Sequence, residues 1–152
     1  MDEAVTLRVA EGADAAAIGA LTREAYAKWV TVAGREPLPM AVDYAEAVKA
    51  HRFDLLEADG GLAALIETTP QDGELLIVNV AVRPGFQGRG FGVRLLKLAE
   101  GLAAEQGLRG TRLYTNRLFV ENIRLYERLG YAIEREEALG RATIVHMVRP
   151  LA

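Results

Sequence analysis

The chain of 152 residues contains no cysteine. That removes disulfides, thiolate metal sites and a covalent cysteine nucleophile in one step. Histidine is nearly as scarce. The two present, His51 and His146, stand far apart in no ligand spacing, so no metal site is expected. No apolar run approaches the roughly 18 to 20 residues needed to span a bilayer. The segment MDEAVTLRVAEG is acidic and lacks an apolar core, so no export signal is expected. Long basic blocks are missing too, and the net charge of −3 argues against nucleic acid as the main partner. What is present, 51% hydrophobic and 26% charged residues, is the balance of a soluble globular protein. No repeat, low-complexity tract or linker divides the sequence. The expectation is one cytoplasmic domain, 1–152, acting on a small molecule or peptide, with no membrane contact. A homodimer is compatible with the sequence but not specified by it.

The order of elements follows from periodicity and turn residues. VTLRVA (5–10) alternates as a strand should, and ADAAAIGALTREAYAKWV (13–30) carries apolar residues at helical spacing, with Asp14 near its start. Pro37 and Pro39 break the helix in VAGREPLPM, and VDYAEAVKAH (42–51) reads as a second one. RFDLLEA and GLAALIETT are strands joined at Asp59-Gly60-Gly61, and a turn at Pro70-Gln71-Asp72-Gly73 leads to LLIVNVAV (75–82). That last run is apolar except for Asn79, as expected of a strand covered on both faces. A helix follows with Phe91, Leu95, Leu98, Ala99, Leu102 and Ala103 on one face, ending near Gly107. TRLYT is a strand, and LFVENIRLYERL (118–129) a helix with an inward stripe of Phe119, Asn122, Ile123, Tyr126 and Leu129. YAIEREEA and RATIVHMVRP close the chain as two strands around Leu139-Gly140. The order is βααβββαβαββ, an α/β (α+β type) mixture with a largely antiparallel first half rather than strict βα alternation.

The segment VAVRPGFQGRGFGVRLL (80–96) places three glycines in five positions where a strand hands over to a helix. The first turn of a helix has backbone N–H groups without intrahelical partners, and the macrodipole adds partial positive charge there. Glycines leave those donors open to an anion. Arg83, Arg89, Arg94 and Lys97 add cations nearby. Two nucleotide patterns fail. Gly92-Val93-Arg94 lacks the Gly-Lys-Ser/Thr of an NTPase loop, and Gly88, Gly90 and Gly92 give G-x-G-x-G rather than G-x-G-x-x-G. A plain structural glycine turn is the bland alternative.

Gln87-x-x-Gly90-x-Gly92, preceded by Val82-x-Pro84, resembles the acyl-CoA motif V-x-P-x-x-(Q/R)-G-x-G-x-G/A of the GNAT superfamily of N-acetyltransferases. The element order is similar along nearly the whole chain. The resemblance implies a mixed, mostly antiparallel sheet of about seven strands flanked by four helices, splayed between its fourth and fifth strands to take acetyl-CoA. It implies that the N–H groups of Gln87, Gly88, Arg89, Gly90, Phe91, Gly92 and Val93 hold the pyrophosphate. The main chain of Val80, Ala81 and Val82 would then pair with the pantetheine arm as another strand would.

The family also carries a helix ending A-x-x-L-Y-x-x-x-G-F, matched here by Asn122 through Tyr131, and its tyrosine often protonates the departing thiolate. That implies an acid role for Tyr126. A tyrosine pKa of about 10 keeps it protonated at neutral pH; its helical spacing also suits a core residue. Phe119 stands where many members carry a cofactor-contacting asparagine. Asn122, on the apolar stripe, either contacts the cofactor or ties down backbone, and Asn116 reads as a helix cap.

Without cysteine, the implied reaction is direct attack by an amine on the thioester in a ternary complex. An ammonium acceptor needs a base. Glu67 is the first candidate, with His146 and Asp43 next; each also has a plain structural reading, as solvent-facing, core or cap residues. GREPLPM and Asp43-Tyr44 lie where acceptor choice is expected, and Trp29, Tyr26 and Tyr44 either wall that pocket or belong to the core. A non-catalytic acyl-CoA sensor on the same fold is the alternative.

Overall fold

The computed structural model describes residues 5–151. The ends of the expected domain, residues 1–4 and 152, lie outside the described residues, as does the start of MDEAVTLRVAEG. The elements are β1 (Val5–Val9), α1 (Ala15–Ala33), α2 (Tyr44–Ala50), β2 (Arg52–Ala58), β3 (Gly61–Gln71), β4 (Glu74–Val82), α3 (Phe91–Glu105), β5 (Gly110–Asn116), α4 (Val120–Arg128), β6 (Ala132–Leu139) and β7 (Ala142–Pro150). The strands form one seven-stranded sheet in the order β1-β2-β3-β4-β5-β7-β6. β4 and β5 run parallel, which requires a crossover, and α3 supplies it. The pairs β1–β2, β2–β3, β5–β7 and β6–β7 are antiparallel. The expected α/β class and element order are those observed.

Several boundaries move for identifiable reasons. Two Asp-Gly pairs, Asp59-Gly60 and Asp72-Gly73, have φ of 53° and 82° each, the left-handed pair that a two-residue hairpin turn demands. β3 therefore runs through the exposed Pro70 and Gln71 instead of breaking there. α1 continues past residue 30 to Ala33, where Gly34 at φ 74° ends it. In α3 the buried face holds Leu96 rather than Leu98, which is half-buried; the adjacent Leu95 and Leu96 are both covered, so the buried arc is wider than a single stripe.

Two compact units divide the chain. The first takes the chain up to Thr68 together with Asn79–Leu96. Its core joins Ile18, Leu21 and Ala25 of α1, Tyr44 of α2, Phe53 and Leu55 of β2, Leu65 of β3 and Ala81 of β4. Each such side chain contributes roughly 1.5–3 kcal/mol by leaving water. The second unit takes Thr69–Val78 and Lys97 onward. There Leu113 of β5 and Val145 and Met147 of β7 are buried, and Arg149 closes α4 by donating from Nε to the Leu129 carbonyl oxygen at 2.9 Å. β6 is exposed along its length, with Glu134, Arg135, Glu136 and Glu137 keeping this edge strand in solution.

Asp14 anchors the first helix. The Arg8 guanidinium donates to both its carboxylate oxygens at 2.8 Å, and the Glu11 N–H donates to Oδ2 at 2.8 Å. These bonds, that of Arg8 first, hold the Asp14 pKa at about 2 against an ordinary 3.8. A carboxyl held low in the folded state stabilises it fully above the ordinary value, and loses that contribution as pH falls toward the folded one. Asp14→Asn is thus expected to lower the melting temperature at neutral pH, with the difference closing between about pH 4 and 2 in a melting series.

Candidate active site

β4 alternates. Leu75, Ile77, Asn79 and Ala81 are buried, whereas Leu76, Val78, Val80 and Val82 are half-buried, so the strand is not covered equally on both faces as its composition suggested. Its ladder to β5 pairs Leu75–Ile77 with Thr111–Leu113.

After Val82 the chain makes a short 3-10 turn at Pro84–Phe86, then the glycine loop. Gly88 at φ 86° and Gly90 at φ 79° occupy left-handed backbone that other residues rarely adopt. Phe91 opens α3, is buried, and stacks on Phe86 with centroids 6.1 Å apart. Arg89 lies over the Phe86 ring at 4.9 Å and pairs with Asp59 at 3.1 Å, so the loop is anchored from outside as well. The Arg94 N–H bonds the Gly90 carbonyl oxygen at 3.0 Å, which leaves the N–H groups of Phe91, Gly92 and Val93 without intrahelical partners. The Gln87 N–H already donates to Pro84 at 3.3 Å, and its side-chain amide reaches the Val82 carbonyl oxygen at 3.4 Å. The helix donors without intrahelical partners therefore lie at Phe91, Gly92 and Val93, beyond Gln87.

A polar group lies on the same sheet face as the first unit's core. Leu65 and Ala81 belong to that core, so Glu67 and Asn79, two residues away along their strands, share its side. Glu67 is 3% exposed, not solvent-facing. Its Oε2 lies 2.6 Å from Nδ1 of His51, at the end of α2. Burial pushes the Glu67 carboxyl above the ordinary range, and His51 partly offsets this. Asn79 Oδ1 accepts from the Tyr26 hydroxyl at 2.8 Å, while its Nδ2 is buried without a partner among the described residues. Tyr44 donates to the Pro39 carbonyl oxygen at 2.7 Å, fixing the Pro-rich segment, and burial pushes its phenol up to about 12. Tyr44 and Trp29 are buried at 5% and 8% exposure, and Tyr44 packs edge-on against Phe53.

The second unit holds Tyr126 and Asn122. Tyr126 is buried on α4 beside Tyr131, with ring centroids 6.0 Å apart. Burial raises its pKa, so the phenol stays protonated at neutral pH. The Tyr131 hydroxyl lies 2.7 Å from the Thr111 hydroxyl. Asn122 is half-buried. Asn116 does not cap α4, whose preceding residue is Phe119; its Oδ1 instead accepts the Leu118 N–H at 2.9 Å in the turn before the helix. Of the other candidate bases, Asp43 caps α2 through the Ala45 N–H at 3.0 Å, and His146 pairs with Glu137 at 3.0 Å.

Val80–Val82, the glycine loop and Glu67 thus fall within one unit, and Tyr126 and Asn122 within the other. Sequence reasoning missed His51 as the partner of Glu67 and Tyr26 as the partner of Asn79. Spacing carried one usable signal: Leu65 and Glu67 are two apart in a strand, so a buried leucine puts the carboxylate on the buried side.

A sequence model of the acetyltransferase (GNAT) family matches residues 18–131. The chain belongs to that family and is an acyltransferase by class. No curated protein matches it significantly in sequence. Among solved structures it is similar to a GCN5-related N-acetyltransferase from Rhodopseudomonas palustris, with TM-score 0.81 and 16% identity over 99% of each chain. It is also similar to the PaiA N-acetyltransferase of Thermoplasma acidophilum, solved with coenzyme A, with TM-score 0.74 and 18% identity over 97% of this chain and 99% of that one. A third is the ribosomal-protein-alanine N-acetyltransferase of Escherichia coli, with TM-score 0.74 and 22% identity over 97% and 94% of the two chains. At these identities the likeness shows the fold. Among the described residues no helix is long and apolar enough to cross a membrane, and no cluster of three or more His, Asp or Glu could hold a metal.

Proposed function

We propose that the chain works as one domain, residues 1–152, transferring an acetyl group from acetyl-CoA to an amine, with both substrates bound together. Position 92 carries the reading. Gly92 lies outside the left-handed region, and a Cβ there would meet only Val82 Cγ2 at 3.6 Å, an ordinary contact. Neither backbone angle nor packing within the chain calls for glycine, which costs a helix about 1 kcal/mol relative to alanine. A ligand approaching the first turn of α3 does call for it, and the positive end of that helix suits a pyrophosphate.

Acetyl-CoA supplies an activated thioester. The N–H groups of Gly88 to Val93, with Gln87 at their edge, bind its pyrophosphate. The main chain of Val80, Ala81 and Val82 aligns the pantetheine arm and polarises the thioester carbonyl, a term that is often the largest in such catalysis. Asn122 contacts the same cosubstrate. Glu67 takes the proton from an ammonium acceptor, for which a raised pKa suits it. Tyr126, kept protonated by burial, donates to the sulfur as charge develops there. Because a raised phenol pKa opposes full proton transfer, its first contribution is hydrogen bonding to the leaving group. Tyr126→Phe is expected to lower kcat about 100-fold and leave acetyl-CoA affinity within about twofold, as checked by stopped-flow CoA release and calorimetry.

A melting-temperature screen with acetyl-CoA, CoA, ATP and NAD tests the reading, followed by CoA release with benzylamine, spermidine, glycinamide and a tripeptide with a free N-terminus. Stabilisation by both CoA species and release with at least one amine is expected. Stabilisation without release from any of them would instead make the chain an acyl-CoA sensor.

A further inference from the structure

Among the described residues, His51 is the side chain that links the buried Glu67 carboxylate to the surface. Its ring is 32% exposed, against 4% for the Glu67 side chain, and the two meet at 2.6 Å. The remaining groups around Glu67 offer no such exit. Phe53 stands opposite it on β2 and is apolar. Tyr44 of α2 is buried and spends its proton on Pro39, and Tyr26 of α1 spends its own on Asn79. A base that takes one proton per turnover must return it to water, and while an acceptor covers its open side the carboxyl reaches water through His51.

We propose that His51 is the positioning and proton-exit residue of Glu67, a role that rests on the reading of Glu67 as base. Its Nδ1 fixes the carboxylate through the 2.6 Å contact, which also sets the direction of the lone pair left to face an acceptor. The ammonium N–H bond breaks and a Glu67 O–H bond forms. The carboxyl then passes its proton to Nδ1 of a neutral imidazole protonated at Nε2, giving imidazolium beside carboxylate. The imidazolium loses its Nε2 proton to water, and proton exchange with water returns the ring to the Nε2–H tautomer, so both groups regain their starting protonation.

The test compares two acceptors that differ in their need for a base. Benzylamine is an ammonium at neutral pH, whereas hydroxylamine is largely neutral there. His51→Gln keeps a hydrogen-bonding side chain but cannot relay a proton. It is expected to lower CoA release with benzylamine about 10-fold or more, with a much smaller loss on hydroxylamine. Imidazole in the buffer is expected to restore part of the benzylamine rate in His51→Ala. Equal losses on both acceptors with no imidazole rescue would reduce His51 to a structural support and overturn the proposal. Glu67→Gln, run alongside, separates the two levels. If it abolishes benzylamine turnover while His51→Gln does not, the exit role fails and the base stands. If Glu67→Gln turns over normally, the reading of Glu67 fails, and the relay with it.

Discussion

Glu67→Gln is expected to lower turnover on ammonium acceptors by about 10²- to 10⁴-fold, the range of a lost general base, without lowering the melting temperature. Stability and activity separate here because the carboxylate is buried. Burial raises the Glu67 pKa, so the folded state holds this proton more tightly than the unfolded chain does. A group raised in this way favours folding below its ordinary pKa and loses that advantage as pH rises through the folded value. In its ionised form Glu67 is therefore a cost to the fold, offset in part by His51. Glutamine removes the charge and still offers His51 an oxygen acceptor. The variant should melt at or above the wild-type temperature at neutral pH, with the difference shrinking in acid. An active residue that is neutral or costly to the fold is the pattern of a site under functional constraint.

Gly92→Val is expected to weaken acetyl-CoA binding at least ~100-fold, about 2.7 kcal/mol, while the protein remains folded. Two charge-assisted hydrogen bonds to a phosphate, at about 1.5–3 kcal/mol each, account for a loss of that size. Valine is a better helix former than glycine, and among the described residues its Cβ meets Val82 at an ordinary distance. Gly90 is a less clean site for the same experiment. Its φ of 79° strains any replacement, so a loss there mixes backbone cost with ligand loss. Circular dichroism melts of both variants separate the two effects.

Much of the fold could be read from the chain because local rules agreed with the tertiary arrangement. The Asp-Gly turns, the glycine stop after α1 and the alternating strands each rest on chemistry a few residues wide. Pro70 misled because a proline at an exposed strand end takes no donor from a ladder that needs one. The apolar run of β4 suggested equal cover on both faces, yet apolar composition does not say which side a neighbour occupies. The glycine loop could be read as a candidate anion site because its spacing left few alternatives. The candidate base was harder. Glu67 is the first candidate base by sequence, with a solvent-facing strand residue as its plain alternative, and its alternation with the buried Leu65 marks it as buried. Its contact with His51 joins residues 16 apart in sequence, which no local pattern announces. The Asn116 cap was misplaced by one turn, since the asparagine caps the turn before α4 rather than the helix itself.

The central claim is that the first turn of α3 receives the pyrophosphate of acetyl-CoA. Calorimetric titration of wild type and Gly92→Val with acetyl-CoA and with acetyl-pantetheine, which lacks the pyrophosphate, tests it most directly. The account predicts tight acetyl-CoA binding to wild type, its loss in Gly92→Val, and weak, equal binding of acetyl-pantetheine to both proteins. Acetyl-CoA binding to folded Gly92→Val with wild-type affinity would contradict it.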